Sequence, residues 1–264
     1  MAFLDEILKN KTQEIKQRIR KKPISELFEQ VGGWRQPNSF SEVLRNEKVV
    51  QIIAEIKKAS PSAGRLRENF EPVEIAESYQ KNGAAAISVL TDERFFEGKL
   101  DYLGQVQKAV DIPVLRKDFI LDPYQVIEAR AFGADAVLLI MAILSNSQFA
   151  ELRAAADEIN LDCLVEVHNT KELERAMTAE PEIIGVNNRD LTTFEIELST
   201  TEKLLEIIPE EIILVSESGI QSRRDVGMVG RLGVDAVLIG EALMRQEDVG
   251  KALSEFVGAE KWSR

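Results

Sequence analysis

One short phrase recurs along the chain and decides the fold. It reads GAAAISVL at residues 83–90, GADAVLLI at 133–140 and GVDAVLIG at 233–240, so the copies begin fifty and then one hundred residues apart. A variant with a displaced glycine, EIIGVN at 182–187, fills the gap in the series. Self-similarity at a fixed interval indicates a structural unit that is repeated along the chain.

Four more apolar runs alternate with these phrases, at 52–56, 112–115, 161–167 and 212–215. Short, continuously apolar runs are typical of strands buried on both faces of a parallel sheet. Helical patterns follow the runs, at 123–132, 147–159, 171–178, 200–208 and 222–232. Eight such units in 264 residues predict an α/β protein with a single (β/α)8 TIM barrel. The alternative is an open doubly wound sheet, but that fold usually carries a Gly-rich dinucleotide loop after its first strand, and none is present.

The first 48 residues precede the repeating part. Apolar residues recur there at helical spacing, at Phe3, Leu4, Ile7, Leu8, Ile15 and Ile19. We therefore expect one domain over residues 1–264, with an N-terminal helical extension at 1–48 and the barrel at 49–264.

Composition limits the partners. A net charge of -12 would repel nucleic acid and an anionic membrane surface, so we expect neither as a partner and expect any anionic ligand to be held locally. With one cysteine, Cys163, and one histidine, His168, the chain has no disulfide framework and few metal ligands. Asp5 and Glu6 interrupt the start of the chain where a secretion signal would be apolar. We expect a cytoplasmic protein that is a monomer, with a homodimer as the alternative.

Charged residues stand at the ends of the apolar runs. Glu55 and Lys57 end the first run, Lys117 the third, Glu166 the fifth and Glu217 the seventh. The carboxyl ends of barrel strands form one rim, so these side chains should converge on one pocket. They could instead form a structural ring of ion pairs. Five acids and bases at equivalent positions favour a catalytic site, because active sites gather such groups in one cleft.

Glycines follow the last two runs. Gly219 comes after Ser218, and Gly240 comes before Glu241. Barrels frequently bind phosphate through backbone N–H groups of these two loops, and glycine permits close approach. The alternative is that both glycines only turn tight corners. The Glu241 side chain would repel a phosphate, so a role there requires the Glu241 amide to bind and the carboxylate to face outward.

Five stretches together carry a family resemblance. VVQIIAEIKKASPS at 49–62 resembles the signature of indole-3-glycerol phosphate synthases, in which a strand delivers Glu-x-Lys into a Ser-Pro-Ser loop. PVLRKDF at 113–119, LVEV at 164–167, IGVNNRDL at 184–191 and SESGI at 216–220 are similar to the later strand ends of that family. The resemblance covers almost the whole chain.

The resemblance implies a role for each matching residue. Lys117 resembles the general acid that protonates the substrate's ketone, and Glu166 its partner in acid–base chemistry and dehydration. Lys57 resembles the lysine that meets the anthranilate carboxylate and shuttles a proton, with Glu55 beside it. The other implied polar groups of the pocket are Asn187, Arg189, Glu217 and Ser218. The implied phosphate contacts are Ser60, Gly219, Gly240 and Glu241. At the position of Glu241, many members of the family have serine. The implied apolar contacts to the anthranilate ring are Phe96, Phe119, Leu138 and Leu191.

The implied activity is that of a carbon-carbon lyase (a carboxy-lyase) of tryptophan biosynthesis. It converts 1-(2-carboxyphenylamino)-1-deoxyribulose 5-phosphate to indole-3-glycerol phosphate, CO2 and water. This chemistry needs an acid near the ketone and a cation near the carboxylate, which two lysines can supply. At a reference pKa of ~10.4 a lysine is a reluctant donor, so desolvation or a second cation would help Lys117. Arg116, in place of a commoner apolar residue, is expected to change the surroundings of Lys117. The reaction requires no metal and no redox cofactor.

Two rival functions remain at this stage. Another phosphate-binding barrel of the same pathway, an isomerase of phosphoribosylanthranilate or a tryptophan synthase α subunit, would reuse the phosphate loops without needing Lys57, Lys117 and Glu166 together. A catalytically silent barrel would only bind a phosphate ligand or a partner protein. We expect His168, which follows Glu166 at the end of the fifth run, to lie at the surface or in a cap rather than to act in catalysis.

Overall fold

The computed structural model describes residues 2–191 and 193–264. The strands are β1 (Gln51–Ile56), β2 (Ala59–Ser60), β3 (Gly64–Arg65), β4 (Ala86–Leu90), β5 (Val114–Lys117), β6 (Ala136–Ile140), β7 (Asp162–Val167), β8 (Ile183–Asn187), β9 (Ile213–Glu217) and β10 (Ala236–Ile239). The helices are α1 (Ala2–Lys21), α2 (Ile24–Val31), α3 (Phe40–Leu44), α4 (Pro72–Lys81), α5 (Glu93–Phe96), α6 (Leu100–Ala109), α7 (Pro123–Ala131), α8 (Asn146–Asp157), α9 (Thr170–Met177), α10 (Ser199–Leu205), α11 (Arg223–Arg231), α12 (Glu241–Met244) and α13 (Val249–Ser254).

Eight of these strands close into a parallel barrel. Strand β1 pairs with both β4 and β10, and the order around the barrel is β1-β10-β9-β8-β7-β6-β5-β4. The remaining two strands, β2 and β3, form a small antiparallel hairpin in the loop after β1. The prediction of a (β/α)8 barrel is confirmed, and the open doubly wound sheet is excluded because the sheet has no edge.

The recurring glycine of the sequence phrase is a turn between a helix and a strand. Gly83, Gly133 and Gly233 have φ values of 96°, 91° and 85°, and each lies three residues before its strand. This left-handed region favours glycine because a Cβ atom is strained there. Ahead of β8 the same place is taken by Glu180, with φ 45°. The displaced glycine of the fourth phrase, Gly185, lies inside β8, next to the side chain of Glu217.

Two strands extend beyond their apolar runs. The sequence predicts strands at 112–115 and 212–215, whereas β5 and β9 continue through Lys117 and Glu217. The backbone ladder does not depend on the side chain, and the register pairs Leu90 with Lys117 and Asn187 with Glu217. The charged residues of the rim are therefore held by strands and not by loops.

The hydrophobic core has an inner layer inside the barrel and an outer layer between the barrel and the helices, and helix α3 closes the amino end of the barrel. Alternate strand residues face either the barrel interior or the surrounding helices, as the period of two requires. Ile53, Leu115, Leu164 and Val215 belong to the inner layer, and Phe40 and Leu44 of α3 pack against that layer. This part of the N-terminal extension therefore belongs to the barrel core.

The N-terminal helical extension is present as predicted. Leu27 of α2 is fully buried and packs in one cluster with Tyr124, Ile127 and Ala131 of α7. Helix α1 spans Ala2–Lys21, and its first turns line the carboxyl end of the barrel. Within the two described ranges, no helix has both the length and the apolar character needed to cross a bilayer.

Candidate active site

The strand period directs the charged residues into the barrel. Residues two apart on a strand share a face, and the inner layer contains Ile53, Leu115, Leu164 and Val215. The next inward positions on these strands are Glu55, Lys117, Glu166 and Glu217. The burial of all three glutamates, at 3%, 1% and 1% exposure, agrees with that placement.

These residues line one cavity of about 680 Å³ at the carboxyl end of the barrel. All sixteen residues that the sequence places in the site contribute to its lining: Glu55, Lys57, Ser60, Phe96, Lys117, Phe119, Leu138, Glu166, Asn187, Arg189, Leu191, Glu217, Ser218, Gly219, Gly240 and Glu241. The structure thus brings the whole predicted set together, and the role of each member stays a prediction.

Two glutamates bind the ammonium group of Lys117. Its Nζ donates to Oε2 of Glu217 at 2.8 Å and to Oε2 of Glu166 at 3.2 Å. Burial acts to lower the pKa of Lys117, but attraction from Glu217 and Glu166 outweighs it and raises that pKa above its usual value. Desolvation thus acts in the expected direction, but the two carboxylates oppose it, so the net effect does not make Lys117 a stronger acid.

The two carboxyl groups titrate differently. Burial acts to raise the pKa of Glu166, but Lys117 and hydrogen bonds from its neighbours outweigh it and hold that pKa well below the usual range. One of those neighbours is Asn187, whose Nδ2 donates to Oε1 at 3.2 Å. Burial raises the pKa of Glu217 to about 7, with Lys117 opposing and Glu166 adding to the rise. Glu166 is held as a carboxylate, whereas Glu217 changes charge near neutral pH.

Gly185 makes room for Glu217. A Cβ atom at residue 185 would overlap Oε1 of Glu217, closer than any real Cβ contact. That oxygen is buried and has no hydrogen-bond partner among the described residues. The lack of a partner agrees with the raised pKa of Glu217, because an unsatisfied buried carboxylate favours protonation.

Lys57 and Glu55 form an ion pair on the opposite part of the rim. Gly240 permits this pair, since a Cβ atom there would overlap Oε2 of Glu55 and lie 3.1 Å from Nζ of Lys57. The Lys57 side chain remains 16% exposed, so its ammonium group can still meet a ligand. A glycine assigned from the sequence to phosphate binding therefore also makes space for the charged pair.

The loop after β9 has the strained backbone expected of a close approach to a ligand. Ser218 and Gly219 have φ values of 64° and 90°. Ser218 is held there by its hydroxyl, which donates to Oδ1 of Asn187 at 2.9 Å. Positive φ at a non-glycine residue is uncommon and costs energy, so this turn is maintained by its surroundings.

Glu241 lines the cavity, and its carboxylate is paired with an arginine. Its carboxylate accepts from Nε and Nη2 of Arg245 at 3.0 and 2.8 Å, and Nη2 of Arg189 lies 4.0 Å away. Arg189 also donates to the Ser62 hydroxyl at 3.3 Å, which links the loops after β1 and β8. Arg245 is not among the residues predicted for the site, although its position four residues after Glu241, at the C-cap of α12, is a signal for such an ion pair.

One wall of the cavity is apolar. The rings of Phe96 and Phe119 lie 6.2 Å apart and are tilted by 44°, and Leu138 and Leu191 extend the wall. Further apolar lining comes from residues that the sequence does not place in the site, Phe3, Leu4 and Ile7 of α1 and Phe194 and Ile196 of the loop after β8. No local pattern reveals these five, because a tertiary contact brings them to the cavity.

Arg116 points away from the cavity. As the neighbour of Lys117 on β5 it faces the helices, where its guanidinium donates to the carbonyl of Gln125 at 2.8 Å and to Asp118 at 3.1 Å. It also pairs with Glu128 of α7 at 3.0 Å. The expectation that Arg116 changes the surroundings of Lys117 is not supported by any contact between them, since strand alternation separates the two side chains.

Of the two placements predicted for His168, the surface is wrong, and a place at a helix cap agrees with the structure. Its side chain is 11% exposed and lies between Glu166 and Glu172, and its backbone N–H donates to Oε2 of Glu172 in the first turn of α9. Strand β7 directs residue 168 to the same side as residue 166, and α9 then covers the ring.

Comparisons with known proteins identify the family to which this chain is similar. The family model of indole-3-glycerol phosphate synthase matches residues 4–256. A protein of that name from Dehalococcoides mccartyi strain CBDB1 is 46% identical over 97% of this chain and 100% of its own length. Another from Acidithiobacillus ferrooxidans is 49% identical over 96% of this chain and 98% of its own length.

Solved structures agree at the level of the fold. The 3-hexulose-6-phosphate synthase of Salmonella typhimurium has a TM-score of 0.64 at 14% identity, covering 78% of this chain and 96% of that chain. The thiamine phosphate pyrophosphorylase of Pyrococcus furiosus has a TM-score of 0.58 at 21% identity, covering 78% and 93%. At such identities the likeness shows a shared barrel and nothing about the chemistry.

Proposed function

The chain belongs to the indole-3-glycerol phosphate synthase family, and we propose that the mouth of its barrel performs that reaction on 1-(2-carboxyphenylamino)-1-deoxyribulose 5-phosphate. One observation carries the proposal: two lysines and three glutamates face one cavity that has an apolar wall at one side and glycine-containing loops at another. The substrate has matching parts, namely a carboxylate, a ketone, an aromatic ring and a phosphate.

The proposed binding mode follows from charge and shape. The anthranilate ring packs against Phe96 and Phe119, and its carboxylate meets the ammonium group of Lys57. The phosphate lies against the backbone N–H groups near Gly219 and Gly240. With a net charge of -12 on the protein, these local cations and amides must hold the anionic substrate.

Ring closure needs an acid at the ketone. The ring carbon that bears the carboxylate attacks the ketone carbon, and the ketone oxygen takes a proton from the ammonium of Lys117. The raised pKa of Lys117 does not prevent this step, because the developing alkoxide is a stronger base than an amine. CO2 then leaves, and the electron pair of its bond restores the aromatic ring.

Dehydration completes the indole. The new hydroxyl leaves as water with a proton from Lys57, and Glu166 accepts the proton lost from the adjacent sugar carbon. Glu166 is ionised at neutral pH and can therefore accept this proton, although its lowered pKa makes it a weaker base than an ordinary glutamate. Glu217 keeps Lys117 protonated and in place through its 2.8 Å hydrogen bond.

The test is turnover by the purified protein. We expect the protein, in the presence of a chelator, to convert the substrate to a product with indole fluorescence and to release one CO2 per product. Phosphoribosylanthranilate and indole-3-glycerol phosphate serve as separate substrates for the isomerase and synthase α alternatives, and neither is expected to react. If the folded protein converts one of these instead, or converts nothing, the proposed function is wrong.

We further propose that residues 1–264 act as one domain, as a monomer in the cytoplasm, with a phosphorylated small molecule as the only partner. The contact of α2 and α3 with the barrel core supports the single domain. The charge of -12 and the single Cys163 support a reducing compartment and argue against nucleic-acid or membrane partners.

A further inference from the structure

The one histidine of the sequence lies directly behind a proposed acid–base group. His168 follows β7, and its Nε2 is 3.3 Å from Oε1 of Glu166. On the other side its Nδ1 is 3.0 Å from Oε2 of Glu172, an oxygen that also accepts the backbone N–H of His168 at 2.8 Å. The ring therefore bridges a cavity glutamate and a helix glutamate.

Glu172 is itself firmly held. It lies in the first turn of α9, where Asn169 caps the helix by accepting the Glu172 backbone N–H at 3.0 Å. The Asn169 side chain also donates to Oε1 of Glu172 at 2.7 Å. The cap fixes Glu172, and Glu172 fixes the imidazole ring.

The two contacts determine the protonation of the ring. A neutral imidazole has one donor and one acceptor nitrogen, so either tautomer would turn a lone pair toward a carboxylate. The Nε2 atom is buried and has no hydrogen-bond partner among the described residues, and the carboxylate that faces it is that of Glu166, with Oε1 at 3.3 Å. Both nitrogens face acceptors, and the imidazolium satisfies both.

We propose that His168 is a positioning residue for Glu166, presenting its Nε2 proton to Oε1 so that Oε2 stays directed at Lys117. The inference rests on the proposed function of Glu166. In this arrangement Asn187 and His168 hold one carboxylate oxygen, and Lys117 meets the other. These contacts fix the orientation of the Glu166 carboxylate and also favour its ionised form.

The titration of the ring agrees with the geometry. Burial acts to lower the pKa of His168, but Glu166 on β7 and Glu172 on α9 outweigh it and raise the pKa to about 10. Among the described residues, these two glutamates are the charged groups recorded in contact with the ring, and both favour its protonated form. At neutral pH Glu166 then lies between two cations, Lys117 and His168.

A single histidine allows a direct measurement on the unmodified protein. We expect the ring nitrogens of the untagged, ¹⁵N-histidine-labelled chain to titrate in NMR with a midpoint near 10, far above the ordinary 6.5. No resonance assignment is needed, and no substrate is added. A midpoint at or below about 7 would overturn the proposal.

A matched pair of variants tests the contact itself. Glu172→Gln removes one of the two carboxylates, and we expect the His168 midpoint to fall by about 1–3 units. Glu174→Gln removes the same charge from an exposed position of α9 and is expected to leave the midpoint unchanged. If the two variants give the same midpoint, Glu172 does not hold the ring and the proposal is wrong.

Kinetics connect the ring to Glu166. For His168→Gln we expect kcat to fall roughly tenfold, a part of the ~10²–10⁴ that acid–base catalysis supplies, with KM nearly unchanged. The loss of kcat at a nearly unchanged KM is the expected signature of a misdirected Glu166 carboxylate, because a general loosening of the site would also raise KM. Unchanged kcat in the folded variant would refute positioning. If the parent protein has no activity, the proposed function fails, and the NMR midpoint still decides whether His168 bridges the two glutamates.

Discussion

Two glutamates share one lysine inside the barrel, and only one of them changes charge near neutral pH. Glu217 has its pKa raised to about 7, whereas Glu166 stays ionised far below that value. The difference follows from their partners: Asn187 and His168 stabilise the Glu166 carboxylate, while Oε1 of Glu217 has no hydrogen-bond partner among the described residues. The two residues are therefore expected to respond differently to pH and to substitution.

The first prediction concerns Glu217. Because its carboxylate holds the Lys117 ammonium, we expect kcat/KM to fall on the acid side with a pKa of about 7. Glu217→Gln resembles the protonated form, so its kcat/KM should be low and lack that ionisation. Steady-state kinetics from pH 5 to 9 in both proteins check this. A step near 7 that persists in the variant would show that another group titrates there.

The second prediction concerns Lys117. Lys117→Ala removes the proposed proton donor, and we expect turnover to fall by roughly 10²–10⁴. The exposed Lys171 on α9 provides the control, and Lys171→Ala should keep parental turnover. Circular dichroism establishes that both variants are folded. Near-parental activity in folded Lys117→Ala would remove the lysine from its assigned role.

At the residue scale the sequence predicts the site well but misses several of its supports. The strand period and the apolar runs suffice to place Glu55, Lys117, Glu166 and Glu217 at one rim. The contact of His168 with Glu172 is missed, although Asn169 followed three residues later by Glu172 is a sequence signal for a helix start; its contact with Glu166 depends on the direction of β7. The direction of the Lys117 pKa also requires coordinates, since it depends on the balance between burial and two nearby carboxylates.

Helix α1 is fastened to the barrel by a buried lysine. Lys11 is 1% exposed, and its Nζ lies 2.8 Å from Asp118, 2.9 Å from Asp92 and 3.0 Å from Glu14. Asp118 directly follows Lys117 at the end of β5. The same helix carries Phe3 to the cavity lining, so one ion-pair cluster connects the wall of the cavity to the strand that holds the proposed acid.

The third prediction therefore concerns Lys11. Lys11→Met takes the cation from the buried Asp92 and one of two cations from the buried Asp118, which keeps Arg116, so we expect a loss of about 3 kcal/mol of unfolding free energy. We also expect KM to rise as α1 loosens, because its residues line the cavity. Denaturant melts and steady-state kinetics measure both effects. Lys16→Met, at an exposed position of the same helix, is the control. Unchanged stability and KM in Lys11→Met would show that the cluster does not hold the helix.

The fourth prediction concerns the pH dependence of this cluster, which has a definite sign. Burial acts to raise the pKa of Asp118, but Lys11 and Arg116 outweigh it and hold that pKa well below its ordinary 3.8. A carboxyl group whose pKa is depressed in the folded protein stabilises the fold at any pH above its pKa in the unfolded chain. This stabilisation is lost as the pH falls toward the pKa of the folded state. We expect the stability advantage of the parent over Lys11→Met to be present at pH 7 and to shrink below about pH 4. An advantage that stays constant down to pH 2 would contradict this linkage.

The sequence predicts whether a segment forms a helix or a strand better than it predicts where that segment ends or what it packs against. The periodicity of residues 3–19 predicts α1, but nothing in it shows that the helix lies at the barrel mouth. The apolar runs predict strands β5 and β9 but not the last two residues of each. Those residues belong to the strands because their backbone pairs with the neighbouring strand, which does not depend on an apolar side chain. The helix docking arises from Lys11 meeting Asp92 and Asp118, residues that are far apart in sequence.

At the scale of the whole molecule, the repeat accounts for the architecture. Copies of one phrase supply a turn and a buried strand, and Glu180 can replace the turn glycine where the surroundings hold its φ at 45°. Repetition of the unit closes the barrel, and closure brings distant strand tips to one mouth. This is why the fold and the location of the site could both be predicted from sequence.

The fifth prediction concerns association. Two large exposed apolar side chains of the described residues, Ile24 and Phe28, lie one turn apart on α2, whereas others, such as Ile19 on α1 and Met228 on α11, belong to different helices. With a charge of -12 on each copy, repulsion opposes self-association. We expect sedimentation equilibrium at micromolar concentrations to give the mass of one chain. A concentration-independent mass of two chains would establish the homodimer instead.

The central claim is that one substrate molecule is held by strand tips on all sides of the mouth. A crystal structure of the protein with a reduced, unreactive substrate analogue tests this most directly. We predict its phosphate at the backbone N–H groups of Gly219 and Gly240, its carboxylate at Lys57, and the hydroxyl that replaces the ketone within hydrogen-bond distance of Lys117. An analogue bound outside this cavity, or bound inside it with Lys57 and Lys117 both out of reach, would contradict the account.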